Sequence, residues 1–328
     1  MSARRTTRDD VARLAKTSTA VVSYVVNDGP RNVSAELRTR VLAAMDSLGY
    51  YPNAIARSLA ATESRTVGMI VPNINNSYFA ELALAVEEAA LGRDRLLFLG
   101  NSNETEEREQ EYIRTFIEQR VDGIIVVGVA LQSSIERATN SGVPVVVVDR
   151  ALANSDARTV SIDHRTAAYT ATAHLLEHGH REIACLTGPA NQLVAEDRRQ
   201  GWADALREAD IDPDAQLIAR SSFSLEGGAA AFDEIEDLPR ALFVASDEQA
   251  RGVIAAASRR SLAVPSDLAI VSVDGTREGE FSNPALTTVR QPYSALAAAA
   301  VASVLGIGSD KHIVVPTELC IRQSCGCP

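Results

Sequence analysis

Two short stretches near the start of the chain carry hydrophobic residues at helical spacing. These residues are Val11, Leu14 and Ala15 in the first stretch, and Val22, Val25 and Val26 in the second. Thr7 is placed to cap the first helix, and Asp10, three residues on, can complete a capping box in which Asp replaces the longer Glu. Ser18 is placed to cap the second helix. Two capped helices joined by a tight turn predict either a helix-turn-helix, whose second helix enters the major groove of DNA, or an ordinary helical hairpin.

A third helix is predicted over residues 35–48, where Ser34 is the cap and Gly49 is the left-handed stop. Three helices are enough to enclose the core of a small head. Pro52 then suits the first turn of a short helix that continues over residues 53–60. A helix of about two turns is marginal alone in water, so we expect it to fold only against a partner.

From Thr66 onward, short apolar strands alternate with helices. The predicted strands are Thr66–Val71, Arg95–Leu99, Gly123–Val127, Val143–Val148, Val160–Ile162, Glu182–Thr187, Leu217–Ala219, Ala241–Val244 and Ala269–Val273. The predicted helices are Phe79–Leu91, Glu106–Arg120, Thr166–Glu177, Arg199–Ala209, Gly227–Ile235 and Glu248–Arg259. Two such series predict two doubly wound α/β lobes, each with a parallel sheet covered on both faces.

Three aspartates, Asp149, Asp247 and Asp274, each come just after an apolar strand. Ligands of doubly wound folds bind outside the carboxyl ends of the strands. We therefore expect these strand ends to form a binding site.

Charge is divided unevenly along the chain. Residues 1–60 hold nine Arg or Lys and five Asp or Glu, whereas the whole chain of 328 residues has a formal net charge of -11. A basic head on an acidic body indicates that the head contacts a nucleic acid and that the body does not.

The opening residues, MSARRTTRDD, lack the apolar core of a signal peptide, and no run of about 18 apolar residues follows. The four cysteines are Cys185, Cys320, Cys325 and Cys327. They are too few and too clustered for a disulfide framework. We therefore expect a cytoplasmic protein with no membrane partner.

The remaining candidate chemistry is weak. The tail C-x4-C-x-C has no evident fourth metal ligand, and His178 and His180 flank Gly179 in a predicted turn, where a role in the turn is favoured over a metal pair. The sequence has no G-x-S-x-G, no P-loop and no G-x-G-x-x-G after a strand. We therefore expect no metal, no cofactor and no catalytic residue.

Short motifs follow one another in order along most of the chain. They are D-V-A-x-L-A at 10–15, V-S at 22–23, V-V-N at 25–27, V-S-x-x-x-R at 33–38, L-G-Y-x-P-N-A-I-A-R-S-L at 48–59, T-V-G-M-I-V-P at 66–72, G-H-R-E-I-A at 179–184, R-x-x-G-W at 198–202 and L-T-T-V-R-Q-P at 286–292. With these motifs, residues 7–60 resemble the DNA-binding head of the lactose-repressor (LacI/GalR) family, and the body resembles its core. The resemblance implies an N-terminal all-α helix-turn-helix head with a hinge helix, and an α/β periplasmic-binding-protein-like core of two doubly wound parallel-sheet lobes.

The resemblance implies a set of DNA-binding residues in the head. They are Thr7, Ser18, Thr19, Ala20, Ser23, Tyr24, Asn27, Asn53, Arg57 and Leu59. The second helix would read base edges, and the caps would contact phosphates. Tyr24 departs from the family pattern, in which Arg is frequent, so its base preference is not transferred. Leu59 matches the residue that wedges into a base step, and the alternative is a buried stripe of Ile55 and Leu59.

The resemblance also implies a set of effector-binding residues in the core. They are Tyr78, Phe79, Asp149, Arg198, Phe223, Ser246, Asp247, Asp274 and Gln291. Carboxylates, an arginine and aromatic faces suit the hydroxyls and C–H surfaces of a sugar or related polyol. The alternatives are a surface ion pair for Arg198, a core position for Phe223, and turn caps for Asp149 and Asp274.

We therefore expect a repressor that binds a pseudo-palindromic operator as a homodimer, lies at the nucleoid when bound, and responds to a sugar-like effector. The expected domains are a head at 1–50, a hinge helix and linker at 51–65, and a core at 66–328. Within the core, one lobe spans about 66–163 and 293–319, and the other spans about 164–290 and 321–328. No heptad tail is evident, so we expect no coiled-coil tetramer. The alternatives are a sugar-binding protein without a DNA role and an enzyme on the same two-lobed fold.

Overall fold

The computed structural model describes residues 6–27, 29, 32–51, 64–127, 132–149 and 157–327. The chain divides into two compact units, Met1–Ser64 and Arg65–Pro328, which we call the head and the core. The predicted hinge helix at 52–60, with Asn53, Arg57 and Leu59, lies outside the described residues. Its contact with DNA therefore stays a prediction.

The described part of the head contains α1 (Arg8–Leu14), α2 (Thr19–Asn27) and α3 (Ala35–Ser47). The capping box at Thr7 is present, because Asp10 N donates to Thr7 Oγ1 at 3.4 Å and Thr7 N donates to Asp10 Oδ2 at 3.0 Å. Ser18 Oγ accepts a hydrogen bond from the first turn of α2 at 3.3 Å, and Ser34 caps α3 in the same way. The helix starts predicted from these caps are confirmed.

The core of the head is a cluster of small apolar side chains contributed by all three helices. Its buried members are Val11, Ala12, Ala15, Val22, Val25, Val41 and Ala44. Leu14 was predicted to lie on this face but is 52% exposed. Successive helical residues are about 100° apart, so the buried face is centred on Val11, Ala12 and Ala15, and Leu14 falls outside it.

The first lobe of the core is built around a parallel sheet. Its elements are β1 (Thr66–Val71), α4 (Ser77–Leu91), β2 (Leu96–Asn101), α5 (Glu106–Glu118), β3 (Gly123–Val127), α6 (Gln132–Asn140), β4 (Val145–Val148) and β5 (Arg158–Ser161), joined from later in the chain by α12 (Tyr293–Val304) and β11 (His312–Val314). The strand order is β11-β5-β4-β3-β1-β2, and every described pair is parallel. β3 and β4 are buried along their whole length, which explains their continuous apolar runs.

The second lobe repeats this architecture. Its elements are α7 (His164–Glu177), β6 (Ile183–Thr187), α8 (Leu193–Glu208), a 3-10 turn (Pro213–Ala215), β7 (Ile218–Arg220), α9 (Leu225–Asp233), β8 (Ala241–Val244), α10 (Asp247–Arg259), β9 (Ala269–Asp274), α11 (Arg277–Glu280), β10 (Thr287–Arg290) and β12 (Glu318–Cys320). The strand order is β12-β10-β9-β8-β6-β7. The described pairs are parallel except β10 with β12, which is antiparallel.

Six elements were not predicted from the sequence pattern: β10, β11, β12, α6, α11 and α12. β11 and β12 are edge strands of 3 residues with no fully buried position, so they have no apolar run. α12 is rich in alanine and apolar on most sides, so it shows no clear helical period. α8 begins at Leu193 rather than at the predicted Arg199, which places Arg198 inside a helix.

The last part of the chain connects the two lobes differently from the expectation. α12 packs on the first lobe and β11 pairs with β5, but Glu318–Cys320 already pairs with β10 of the second lobe. The expected boundary, which kept residues up to 319 in the first lobe, is therefore wrong at this end. The outer edge of β10 has backbone groups that a neighbouring strand satisfies, and β12 supplies that strand.

Candidate functional site

Two adjoining cavities lie in the cleft between the lobes, at the carboxyl ends of the strands. One has a volume of about 300 Å³ and is lined by residues that include Asp149, Ile162, His164 and Asp197. The other has a volume of about 100 Å³ and is lined by residues that include Pro72, Phe79, Pro189 and Phe223. Asp149, Leu193 and Val194 line both cavities. Strand ends of the two sheets thus form one site, as the doubly wound fold predicts.

A buried ion pair forms the polar floor of the cleft. Arg198, on α8, is 3% exposed, and its Nη2 donates to Asp274 Oδ1 at 3.2 Å. The same carboxylate oxygen accepts from Gln291 Nε2 at 2.9 Å. Arg198 also donates to the carbonyl of Ala245 and to His164 Nδ1, the latter at 3.4 Å from Nε. Arg198 is therefore a buried ion-pair partner, and the alternative of a surface ion pair is wrong.

Both cleft aspartates have an unusual backbone conformation. Asp149 has a φ of 73° and Asp274 a φ of 132°, in the region that favours glycine. Such a conformation costs about 1–3 kcal/mol and is held by the surrounding structure. Residues in this state concentrate at ligand sites, which supports a binding role for both aspartates over a role as simple turn caps.

The two cleft carboxylates differ in protonation. Burial raises the pKa of Asp274 to about 7, against the opposing effect of Arg198. Burial also acts to raise the pKa of Asp149, but the charge and hydrogen bond of His164 and the charge of Arg198 outweigh it and leave that pKa below its ordinary value. Near neutral pH, Asp149 is therefore a carboxylate, whereas Asp274 is partly protonated.

Several buried oxygen atoms at the site are poorly satisfied. Within the described residues, Tyr78 Oη, Asp149 Oδ1 and Gln291 Oε1 make no hydrogen bond of good geometry, although Tyr78 and Asp149 lie close enough to interact with each other and Asp149 Oδ1 lies 3.3 Å from His164 Nε2. Burial, and then the charges of Asp149 and Asp274, raise the pKa of Tyr78 well above its ordinary value, so its hydroxyl keeps its proton. These three side chains therefore offer one hydroxyl donor, from Tyr78, and acceptor oxygens, from Asp149 and Gln291.

Aromatic side chains stand beside these oxygens. The ring of Tyr78 meets Phe79 edge-on with centroids 5.1 Å apart and lies 5.8 Å from the ring of Tyr293. Phe223 lies beside the guanidinium of Arg198, which is 6.0 Å from the ring centroid. Phe79 and Phe223 both line the smaller cavity, and Phe223 also packs against the hydrophobic core, so its core position does not exclude contact with a ligand.

Asp247 and Ser246 lie beneath the cleft and are engaged by the protein itself. Asp247 is 0% exposed, and its Oδ1 accepts from Ser272 and Thr288, each at 2.6 Å. Its Oδ2 accepts from the backbone and the hydroxyl of Thr276 at 2.7 and 3.0 Å. Ser246 caps α10 and is 3% exposed. The structure thus places Asp247 as a support of the cleft loops, against the expectation of direct contact with an effector.

Polar contacts join the two lobes across the cleft. Asn76 Nδ2 donates to the carbonyl of Phe223 at 3.0 Å, and Ser77 Oγ donates to Glu248 Oε2 at 3.4 Å. Further along α4, Glu81 Oε1 accepts from Arg277 N at 2.7 Å. These contacts hold the first turns of α4 against the second lobe.

Sequence reasoning missed several residues of the site. His164 lies between Asp149 and Arg198, Leu193 and Val194 line both cavities, and the hydroxyl of Tyr293 donates to the carbonyl of Asp274 at 3.1 Å. His164 comes just after a strand, which is the signal that identified the cleft aspartates. The other residues sit at helix starts and carry no comparable signal.

The predicted DNA-reading residues of the head lie on α2 and its flanks. Ser18, Thr19 and Ala20 are exposed at the start of the helix, whereas Ser23 and Tyr24 are half-buried. Thr7 is exposed just before α1, and the side chain of Asn27 is not among the described parts of the structure. The first turn of α2 is therefore the part of this set most open to a partner.

Comparison with known proteins agrees with this architecture. Residues 7–53 match the lacI family of bacterial regulatory proteins, and residues 172–325 match a periplasmic binding protein-like domain. The chain is 35% identical to the HTH-type transcriptional repressor CytR of Escherichia coli (strain K12), over 97% of this chain and 96% of that protein.

Two solved structures resemble the whole chain. The Lac repressor dimer bound to operator and the anti-inducer ONPF has a TM-score of 0.85 at 25% identity, covering 98% of this chain and 99% of that one. The complex of the transcriptional regulator CelR with cellobiose has a TM-score of 0.72 at 27% identity, covering 98% of this chain and 100% of that one. The predicted fold class is thus confirmed, with a helix-turn-helix head and a two-lobed α/β core. The chain belongs to the LacI family of bacterial regulatory proteins and is a DNA-binding transcriptional regulator.

Proposed function

We propose that this regulator is a repressor whose binding to operator DNA is controlled by a small sugar or related polyol in the cleft between the lobes. The proposal rests chiefly on the poorly satisfied oxygens Tyr78 Oη, Asp149 Oδ1 and Gln291 Oε1. A buried polar atom with no partner at all costs about 1–3 kcal/mol, and one whose hydrogen bonds are incomplete costs a part of that. A ligand with several hydroxyls relieves that cost, because each hydroxyl both donates and accepts.

The remaining cleft residues suit the same class of ligand. Phe79, Phe223 and Leu193 offer apolar surface to the C–H faces of a sugar ring. The ion pair of Arg198 and Asp274 supplies a fixed donor and an acceptor at the floor. The proposed effector contacts are therefore Tyr78, Phe79, Asp149, Arg198, Phe223, Asp274 and Gln291, with Ser246 and Asp247 as supports beneath them. The related CelR structure holds cellobiose, which is a ligand of this class.

The head would supply the operator contacts. In the proposal, Thr19 and Ala20 present methyl groups to thymine from the exposed start of α2, with Ser23 and Tyr24 one turn further on. The helix caps Thr7 and Ser18, together with Asn27, would contact phosphates. The resemblance adds Asn53, Arg57 and Leu59 of the hinge segment.

A homodimer on a pseudo-palindromic operator follows from the geometry of such heads, since one head reads one half-site and a two-fold axis doubles it. The effector would act by favouring a closed arrangement of the lobes that binds operator less well. Release of DNA by a sugar is the expected direction. No helix in the described parts of the chain is long and apolar enough to cross a bilayer, and we propose a cytoplasmic location.

The test is binding of the purified chain to DNA from upstream of its own gene, measured by gel shift across a panel of sugars and polyols. We expect tight binding without ligand and release by one class of sugar. Tyr78→Phe removes the poorly satisfied hydroxyl, so we expect about tenfold weaker effector binding by calorimetry, which is about 1.4 kcal/mol. Affinity for DNA without effector should not change.

Tyr112→Phe is the matched control, because Tyr112 lies on α5 and lines neither cleft cavity. Its effector affinity should equal that of the unmodified chain. If the protein binds none of this DNA with or without sugars, the proposal fails. Robust chemical turnover of a sugar would instead favour an enzyme on this fold.

A further inference from the structure

A cluster of imidazole and thiol groups lies at the far end of α7 from the cleft. His174 is in the last turn of this helix and His178 caps its end, while Cys325 and Cys327 come from the segment after β12. Their ligand atoms all lie within 4.8 Å of one another. In the sequence, His178 stands beside His180, and the cysteine tail has no evident fourth ligand. The fold instead brings His174 and His178 to the two cysteines, which makes a set of two nitrogen and two sulfur ligands.

The donor atoms of the cluster converge. His178 Nε2 lies 3.0 Å from Cys327 Sγ, and His174 Nε2 lies 3.6 Å from the same sulfur. The two imidazole rings meet edge to face with centroids 4.7 Å apart. Around a tetrahedral Zn²⁺, with Zn–S near 2.3 Å and Zn–N near 2.0 Å, ligand atoms are about 3.3–3.8 Å apart. The cluster therefore needs a contraction of at most about 1.5 Å to match that geometry.

The surroundings of the cluster are also those of a metal site. His174 is 5% exposed and Cys325 is 1% exposed, whereas His178 is exposed and Cys327 is half-buried. The inner pair is therefore held by packing, and the outer pair is open to an ion from solvent. Thr287 Oγ1 donates to Cys325 Sγ at 3.2 Å, and Glu177 Oε2 lies 3.8 Å from His174 Nδ1. Contacts of this kind orient metal ligands from behind.

We propose that His174, His178, Cys325 and Cys327 bind one Zn²⁺ ion in a tetrahedral site. Two imidazoles and two thiolates are the donor set that zinc prefers, while Mg²⁺ and Ca²⁺ prefer oxygen. Four protein ligands leave no open coordination position, so the ion is structural. On binding, both cysteine thiols release their protons to solvent. The ion then fastens the segment after β12 to α7, the helix whose first residue, His164, lies in the cleft.

The test is metal binding by the full chain, kept reduced with a phosphine, stripped of metal by a chelator and then titrated with Zn²⁺ against a chromophoric chelator. We expect one Zn²⁺ per chain and a higher melting temperature with the ion bound. Cobalt substitution should give the spectrum of tetrahedral Co²⁺ with thiolate charge-transfer bands. His178→Gln and Cys327→Ser should each weaken zinc binding by about 100-fold or more, since loss of even an outer-shell partner costs 10- to 100-fold.

Each of the two substitutions has a matched control, which makes the same chemical change at a nearby residue outside the cluster. His180→Gln makes the same change two residues from His178, and Cys320→Ser makes the same change outside the cluster, so both should bind zinc as the unmodified chain does. The proposal is overturned if the unmodified chain binds Zn²⁺ no more tightly than the His178→Gln/Cys327→Ser double variant. It is equally overturned if the Co²⁺ complex of the unmodified chain lacks thiolate bands, a result that does not depend on the folding of any variant.

Discussion

At the scale of single residues, Asp274 is a buried carboxyl group whose charged form is disfavoured by its surroundings. Its carboxyl group is 6% exposed, and it ends β9 with a strained backbone. Arg198 and Gln291 both donate to one of its oxygens, yet burial still raises its pKa to about 7. A carboxyl group in this state accepts strongly from ligand hydroxyls once it ionises. We therefore expect Asp274 to lower the stability of the empty core and to serve binding.

This gives a prediction for the pH dependence of stability. Because its folded pKa of about 7 exceeds the ordinary value of 3.8, Asp274 binds a proton in the folded core at pH values where the unfolded chain has lost it. Its contribution to the free energy of unfolding should therefore fall as the pH rises between about 4 and 7, by up to about 1.4 kcal/mol per pH unit. Urea unfolding of the unmodified chain and of Asp274→Asn, compared across this range, measures that slope. Parallel pH profiles for the two proteins would contradict it.

Asp247 has the same side chain as Asp274, but its oxygens are occupied by donors of the protein itself. Its oxygens accept from Ser272, Thr276 and Thr288, which lie on or next to β9 and β10. Because these donors occupy its acceptor sites, the carboxylate of Asp247 holds the loops below the cleft and has little acceptor capacity left for a ligand. In our proposal, the hydrogen-bond donors around each carboxylate, and not the residue type, decide which aspartate contacts the effector.

At the scale of secondary-structure elements, the pair of α7 and α8 organises the second lobe. α7 carries His164 at the cleft and ends at the cluster of His174 and His178, while α8 carries Arg198. The helices approach closely at Gly201, where a Cβ atom would collide with the carbonyl oxygen of Arg165. This close approach is needed for Arg198 to reach His164 and Asp274.

We therefore predict that Gly201→Ala lowers the free energy of unfolding by about 1–3 kcal/mol, since a methyl group there forces the helices apart. Arg198 would be displaced with α8, so effector affinity should fall as well. Gly92→Ala is the matched control, because a Cβ there would lie 3.5 Å from the nearest atom, the carbonyl oxygen of Glu88, at ordinary contact distance. Urea unfolding should show the control within about 0.5 kcal/mol of the unmodified chain. Equal urea midpoints for Gly201→Ala and Gly92→Ala would mean that α7 and α8 can move apart without loss of stability, against the prediction.

At the scale of the whole molecule, a DNA-binding head and a periplasmic-binding-protein-like core belong to one chain. In the core, Asn76, Ser77 and Glu81 of the first lobe contact the second lobe beside the cleft. A ligand that changes how firmly these contacts hold changes the arrangement of the lobes. In our proposal this arrangement is the equilibrium that both the effector and the operator bias.

Linkage then makes a quantitative prediction. If the effector lowers affinity for the operator by some factor, saturating operator must lower affinity for the effector by the same factor, typically about 5- to 150-fold. Fluorescence anisotropy with labelled operator and calorimetry with the effector measure the two factors. A scrambled duplex of equal length is the control and should leave effector affinity unchanged. Unequal factors would show that effector and operator do not act through one shared equilibrium.

The sequence alone determined those features that depend on near neighbours in the chain. The caps Thr7, Ser18 and Ser34 predicted the helix starts of the head, because a cap bonds to backbone groups two or three residues away. Alternating apolar strands and helices predicted both lobes, since β3 and β8 are buried along their whole length. Strand ends indicated Asp149, Asp247 and Asp274 as candidate site residues, and this local signal does not separate Asp247, which the protein itself engages, from the other two.

Only the tertiary structure decided what depends on residues far apart in the chain. In the folded chain, Asp247 accepts a hydrogen bond from Thr288, and Arg198 forms an ion pair with Asp274. The cysteine tail comes to lie beside His174, and β12 joins the second sheet. Burial, charge pairing and edge pairing are set by neighbours that packing brings together, and no local pattern records them. Patterns between near neighbours therefore predict most of the elements and the strand-end aspartates, while the partners of each side chain are set only when those elements pack.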